Sequence, residues 1–116
     1  MLNELIGHRI IRVATDIVTV IPIISDGEMR LEIPVTLVFA DYTLNIYNSF
    51  VIYGVTVTSL SLLEDLTVQG CEEVSTDIIL YFDKSVKLII DMSDKGYNGP
   101  EALSLYGPDN LIVVWD

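Results

Sequence analysis

One histidine and one cysteine, His8 and Cys71, are all that the sequence offers of the side chains most used for nucleophilic and zinc chemistry. A nucleophile needs a base beside it, and no Gly-x-Ser-x-Gly elbow occurs anywhere in the chain. His8 stands in a charged N-terminal stretch and reads as a surface residue, and Cys71 as a small core or loop residue. A lone cysteine forms no intrachain disulfide and excludes a zinc site built from clustered thiolates. Carboxylates are the remaining source of chemistry. Asp91-x-Ser93-x-x-Gly96 sets oxygen ligands at the first and third positions of a calcium-type loop, with glycine at the sixth. The match then fails, because Lys95 holds the fifth position and Ala102 the twelfth, where a bidentate glutamate is required. Glu64-Asp65 and Glu72-Glu73 are adjacent pairs, and neighbours in a strand or loop diverge instead of facing each other across a sugar-binding cleft. The expectation is a protein that is not an enzyme, with no catalytic residues, no metal and no cofactor.

The charge balance restricts the partners. Seventeen Asp and Glu face six Lys and Arg, giving a net charge of −11 and a pI near 4.1. Between Arg30 and Lys84 there is no basic residue and there are eight acidic ones. Nucleic-acid binders neutralise phosphates with Lys and Arg, so direct nucleic-acid binding is not expected. The charge either attracts a cationic protein or keeps an apolar small protein soluble. Hydrophobic residues make up 51% and the mean hydropathy is +0.50, which calls for strands buried on both faces or for an apolar surface that meets a partner. The N-terminal stretch has no basic start followed by a long apolar run, and no apolar run reaches bilayer-spanning length. A cytoplasmic protein without membrane contact is expected.

The elements that would position these residues are strands. With 116 residues the chain is read as a single domain over 1–116. Leu31, Ile33, Val35, Leu37 and Phe39 alternate with polar residues, a strand period, and Pro34 places that strand at an edge. The β-branched run 17–24 ends at Ser25-Asp26-Gly27, the signature of a hairpin turn. Leu44, Ile46, Phe50 and Ile52 alternate after a turn at 40–43, with Asn48 interrupting the apolar face, and a phase change near Thr58-Ser59 suggests a bulge. Residues 63–73 form a polar middle. Strands at 74–82 and 86–92 flank Asp83-Lys84-Ser85, and 111–115 is a closing strand. The fold class is mostly β: antiparallel hairpins forming a sandwich or half-barrel-like sheet. At most one or two short helices are expected, near 100–106, where Pro100 can open a helix, and at 60–66.

Two halves share a loose pattern. Leu5-Ile6-Gly7, Leu37-Val38-Phe39 and Leu44-Asn45-Ile46 parallel Leu66…Gly70, Leu80-Tyr81-Phe82 and Val86-Lys87-Leu88, which fits either an internal duplication or the alternation common to any two hairpins.

The chain's last quarter, residues 88–115, and above all Gly99-Pro100-Glu101-Ala102 and Ile112-Val113-Val114-Trp115, resembles the ending of immunity proteins of bacterial contact-dependent growth inhibition and polymorphic toxin systems. The resemblance implies a small acidic protein that neutralises a co-encoded toxin domain, often a nuclease, and it supplies no contact residues. A basic nuclease is also the kind of partner that a chain of charge −11 attracts. The candidate toxin-binding residues are the acids of the base-free middle and of the loop that follows: Asp41, Glu64, Asp65, Glu72, Glu73, Asp77, Asp91 and Asp94, with Tyr97 as an aromatic anchor. Six tyrosines add to this, each either an interface residue or an ordinary sheet residue. The alternative is a non-catalytic interaction or self-associating module, and homodimerisation stays open.

Overall fold

The computed structural model describes residues 2–15, 23–25, 28–31, 34–54 and 60–116. Eleven strands are described: β1 (Arg12–Thr15), β2 (Ile23–Ser25), β3 (Glu28–Leu31), β4 (Val35–Val38), β5 (Thr43–Ile46), β6 (Phe50–Tyr53), β7 (Val68–Glu73), β8 (Asp77–Phe82), β9 (Lys87–Asp91), β10 (Leu103–Tyr106) and β11 (Ile112–Trp115). They form two antiparallel sheets, ordered β1-β4-β5-β10-β11 and β2-β3-β6-β9-β8-β7. Short 3-10 turns at Leu2–Leu5, Leu60–Leu63 and Asp94–Gly96 are the helical elements among the described residues. The protein is thus mostly β, as its alternating pattern requires.

Alternation decides which side chains enter the core. Val35, Leu37, Leu44, Ile46, Leu103 and Leu105 of the first sheet meet Phe50, Ile52, Ile78, Leu80, Leu88 and Ile90 of the second, and all are buried in one cluster. Leu2, Leu5, Ile10, Leu63 and Leu66 from the two leucine-bearing turns and their exits join the same cluster.

Local readings of the sequence change in four places. Leu31 to Phe39 is two strands in different sheets, with Pro34 outside both and neither at an edge. Alternation runs on because Leu31, Val35 and Leu37 all point into the shared core, while proline, lacking an N–H, stands clear of both ladders. The expected helix near 100–106 is strand β10, hydrogen-bonded to β5 on one side and β11 on the other; Leu103, Ser104 and Leu105 are all buried there, and a short buried run looks alike in either state. The polar middle contains β7, an edge strand of its sheet whose exposed Glu72 and Glu73 suit an edge. The 60–66 helix is a single 3-10 turn. Strands β2 and β3 pair with Ser25 opposite Glu28, as a hairpin requires, whereas the Asp26-Gly27 turn and the bulge near Thr58-Ser59 lie outside the described residues.

Much of the strand order and bonding of the two halves corresponds. β1, β4, β5 and β10 lie side by side in one sheet as β7, β8, β9 and β6 do in the other. The N–H of Gly7 donates to the carbonyl of Val68 at 2.8 Å, and the N–H of Asp65 donates to the carbonyl of Ile10 at 2.8 Å. The bond from Ile10 to Leu66 (2.8 Å) is likewise answered by that from Val68 to His8 (2.9 Å). Arg9 and Thr67 form a bridge to each other. Each half then sends a strand into the opposite sheet. Phe50 pairs with Ile90 and Ile52 with Leu88, as Leu103 pairs with Ile46 and Leu105 with Leu44. The exchanged strands read Phe50-Val51-Ile52-Tyr53-Gly54 and Leu103-Ser104-Leu105-Tyr106-Gly107. The correspondence differs in register from the sequence reading: Leu5 matches Leu63, and Leu44 matches Leu88. The second hairpin turn is one residue longer, with Lys84 and Ser85 at φ 59° and 62°.

Gly54 closes β6 at φ +85°, and a Cβ there would stand 2.5 Å from the carbonyl oxygen of Ser85. Gly54→Ala is expected to destabilise the protein by about 1–3 kcal/mol. Gly99→Ala, with no heavy atom within 4 Å of the added carbon, should stay within about 0.5 kcal/mol. Urea midpoints of the two variants check this.

Candidate functional site

Strand direction sorts the charges. The second sheet brings to one end the last residues of β7, the first of β8 and the last of β9, so Glu72, Glu73, Asp77 and Asp91 gather there, with Asp77 directly opposite Asp91. The connection from β9 to β10 adds Asp94 and Glu101, and Asp116 follows β11. Hydrogen bonds tie these pieces together. The N–H of Met92 donates to Thr76 (2.8 Å), that of Asp91 to Ser49 (2.9 Å), that of Ser49 to Gly96 (2.9 Å), and that of Ala102 to Trp115 (2.7 Å). The indole N–H of Trp115 donates to Glu73 at 2.9 Å, linking the edges of the two sheets. Lys95 is the base of this end. Arg30 lines a furrow with Asp77 and Asp91, but its guanidinium is engaged by Glu28 at 3.3 Å.

The other end is mixed. Asp41 lies in the turn between β4 and β5, and Glu64 and Asp65 follow the second 3-10 turn. They share that end with Arg9, Arg12, Lys84 and Lys87, which precede or open β1 and β9. Glu64 accepts the N–H of Val13 at 3.2 Å, and Asp65 pairs with Arg9 at 3.6 Å with both side chains mostly exposed. Of the nine candidates, then, Glu72, Glu73, Asp77, Asp91, Asp94 and Tyr97 come together, while Asp41, Glu64 and Asp65 stand apart among bases. Tyr97 packs against the core and is only half-exposed.

The residues considered for chemistry serve local structure. Asp91 accepts the N–H of Ser93 at 2.8 Å and its hydroxyl at 2.6 Å, a side-chain turn that starts the Asp94–Gly96 element. A Cβ on Gly96 would collide with Asp91, which accounts for the glycine. His8 stands edge-on to the ring of Tyr42, with centroids 5.0 Å apart. The thiol of Cys71 donates to Asn3 at 2.9 Å; burial pushes it up from its ordinary value, and the charge of Glu73 adds to this, the reverse of what activates a thiolate. Among the described residues no three His, Cys, Asp or Glu side chains are grouped to hold a metal ion, and no helix is long and apolar enough to cross a membrane.

Tyr81 reports on the acidic face. Its hydroxyl donates to Glu72 at 2.5 Å, and this bond chiefly raises the phenol from its ordinary value, with desolvation and the charge of Glu72 adding. The bonded, protonated phenol is favoured in the folded state and is lost as pH rises through the raised value. Glu72→Gln should therefore move one tyrosine titration toward lower pH, which ultraviolet titration of folded protein can follow; an unchanged curve would mean the bond is absent in solution.

Beside the acids lies a groove of about 310 Å³ lined by Pro34, Tyr47, Asn98, Gly99, Pro100 and Glu101. The side-chain amide of Asn98 donates to the carbonyl of Tyr47 at 3.1 Å and holds the wall in place. A second hollow of about 250 Å³ shares Pro34 and Tyr47 and opens toward Thr36 and Asn45. Nothing local in the sequence marks Tyr47 among six tyrosines. The usable signal was the unequal length of the connections in the two halves. No family model, no curated protein and no solved structure matches the chain.

Proposed function

We propose that the protein is an immunity-type inhibitor that works in the cytoplasm by binding a cationic toxin domain, a nuclease, without performing chemistry. The observation that carries this reading is the convergence of Glu72, Glu73, Asp77, Asp91, Asp94, Glu101 and Asp116 at one end of the two sheets, with Lys95 as the base of that end. Carboxylates held in such an array take the place that nucleic-acid phosphates occupy on a basic nuclease surface, speeding encounter and rejecting acidic partners. The resemblance of the chain's ending points the same way, since Gly99, Pro100 and Glu101 line the adjoining groove and Trp115 is bonded to Glu73. The test is co-expression with the toxin domain encoded beside it, scored by rescue of growth and by complex affinity over a range of salt concentrations. Rescue together with salt-weakened binding is the expected result; neither rescue nor complex rejects the proposal.

A second reading rests on β11, an edge strand of its sheet. Ile112 and Val114 of β11, at 62% and 45% exposure, and Tyr106 of the neighbouring β10, at 44%, form an apolar strip beside the edge that suits self-association. Light scattering separates the two. A dimer broken by Ile112→Asp supports the module reading, and a monomer rejects it.

A further inference from the structure

We infer that the groove between Tyr47 and Pro100 is where the basic partner seats one apolar side chain, while the surrounding acids hold the lysines and arginines flanking it. This rests on the reading of the protein as a binder of a cationic partner.

The correspondence between the halves marks one connection that is longer than its counterpart. From β5 to β6 the chain crosses between sheets with three residues, 47–49, whereas the equivalent crossing from β9 to β10 uses eleven, 92–102. The counterpart of the three-residue turn from β7 to β8, 74–76, is the step from β1 to β4, which carries β2 and β3 in the second sheet and has Pro34 immediately before β4. Because three residues suffice for the crossing from β5 to β6, the extra length of 92–102 is not required to pass between the sheets, and long connections on a rigid scaffold are where binding surfaces are built. The longer connection meets the residue before β4 at one place. Asn98, Gly99, Pro100 and Glu101 come from that connection, and Pro34 lies between β3 and β4.

The groove suits one occupant. Two prolines and the Tyr47 ring give it rigid apolar walls, and its volume of about 310 Å³ admits a large side chain. The hydroxyl of Tyr47 lies 3.5 Å from that of Ser104, within the bonded row Thr36-Asn45-Ser104, so the walls are set before a ligand arrives and little order is lost on binding. Glu101 lines the groove and Asp94 belongs to the same connection, so a segment that places an apolar side chain here brings its neighbours against carboxylates. A basic segment gains from that placement, and an acidic or neutral one does not. The second hollow, with Thr36 and Asn45, offers a path for the rest of the segment.

Two synthetic peptides test this, Lys-Arg-Trp-Arg-Lys and the same sequence with Ser in place of Trp, each titrated into the isotopically labelled full chain. The Trp peptide should bind on the order of tenfold more tightly, with amide shifts centred on Tyr47, Gly99 and Glu101. Gly99→Trp, which adds its side chain into open space, should abolish the preference while leaving the salt-sensitive binding of the Ser peptide. Equal binding of both peptides, or shifts confined to Glu72, Asp77 and Asp91, overturns the groove but spares the acidic surface. Failure of both peptides to bind at low salt overturns both. A Gly99→Trp variant with native circular dichroism and an intact preference for Trp also overturns the groove.

Discussion

Phe50→Ala should lower the unfolding free energy by about 3–5 kcal/mol, the largest stability loss expected for a single truncation in this protein. Phe50 opens β6 immediately after the chain passes from one sheet to the other. It is 1% exposed and is the largest of the fully buried side chains. On the inner face of the second sheet it stands between Leu31 and Ile90. Truncation removes the transfer free energy of the ring and leaves a cavity that strands hydrogen-bonded on both sides cannot close. Urea unfolding should show a lower midpoint at unchanged slope. A loss under about 1 kcal/mol would contradict the burial of Phe50 between the sheets, while Ile112→Ala, at an exposed edge position, should fall within about 0.5 kcal/mol.

Reversing charge at Asp77 and Asp94 together should slow association with a basic partner by about tenfold to a hundredfold at low ionic strength. The difference should shrink as salt shortens the screening length toward about 3 Å at 1 M. Reversal at Asp41 and Asp65 changes the net charge by the same amount but acts at the mixed end, where Arg9 and Arg12 already offset the carboxylates. It should alter the rate by a factor of about three or less. Stopped-flow association of the two double variants over a salt series measures both. Equal slowing would mean that net charge, not its placement, governs encounter, and would remove the acidic end from the site.

Much of the strand content was legible along the chain. Leu44 and Ile46, Ile78 and Leu80, and Leu88 and Ile90 alternate with half-exposed residues, and a sheet with one face on a core leaves that imprint wherever it occurs. The same rule hid the sheet boundary at Pro34, because strands in different sheets alternate identically when both face one core. It also hid β10, where burial on both faces erases the alternation. The correspondence of the halves was visible as a motif and misaligned in detail, since matching Leu5 to Leu66 and Leu44 to Val86 on apolar spacing alone leaves the register free by two or three residues.

By itself the sequence determined the composition of the protein's surface and core: strongly acidic, rich in alternating apolar residues, and equipped with one histidine and one cysteine. Where the charge acts was decided by tertiary structure. The base-free stretch between Arg30 and Lys84 does not form one surface, since antiparallel strands return the chain to both ends of the sheets. Asp41, Glu64, Asp65 and Asp83 are carried to the end that holds Arg9, Arg12, Lys84 and Lys87. Glu72, Glu73 and Asp77 go to the other, where Asp91, Asp94, Glu101 and Asp116 join them from beyond the stretch. Charges interact through space and not along the chain, so strand direction, which no local pattern reveals, turned an acidic sequence into a protein with one acidic end.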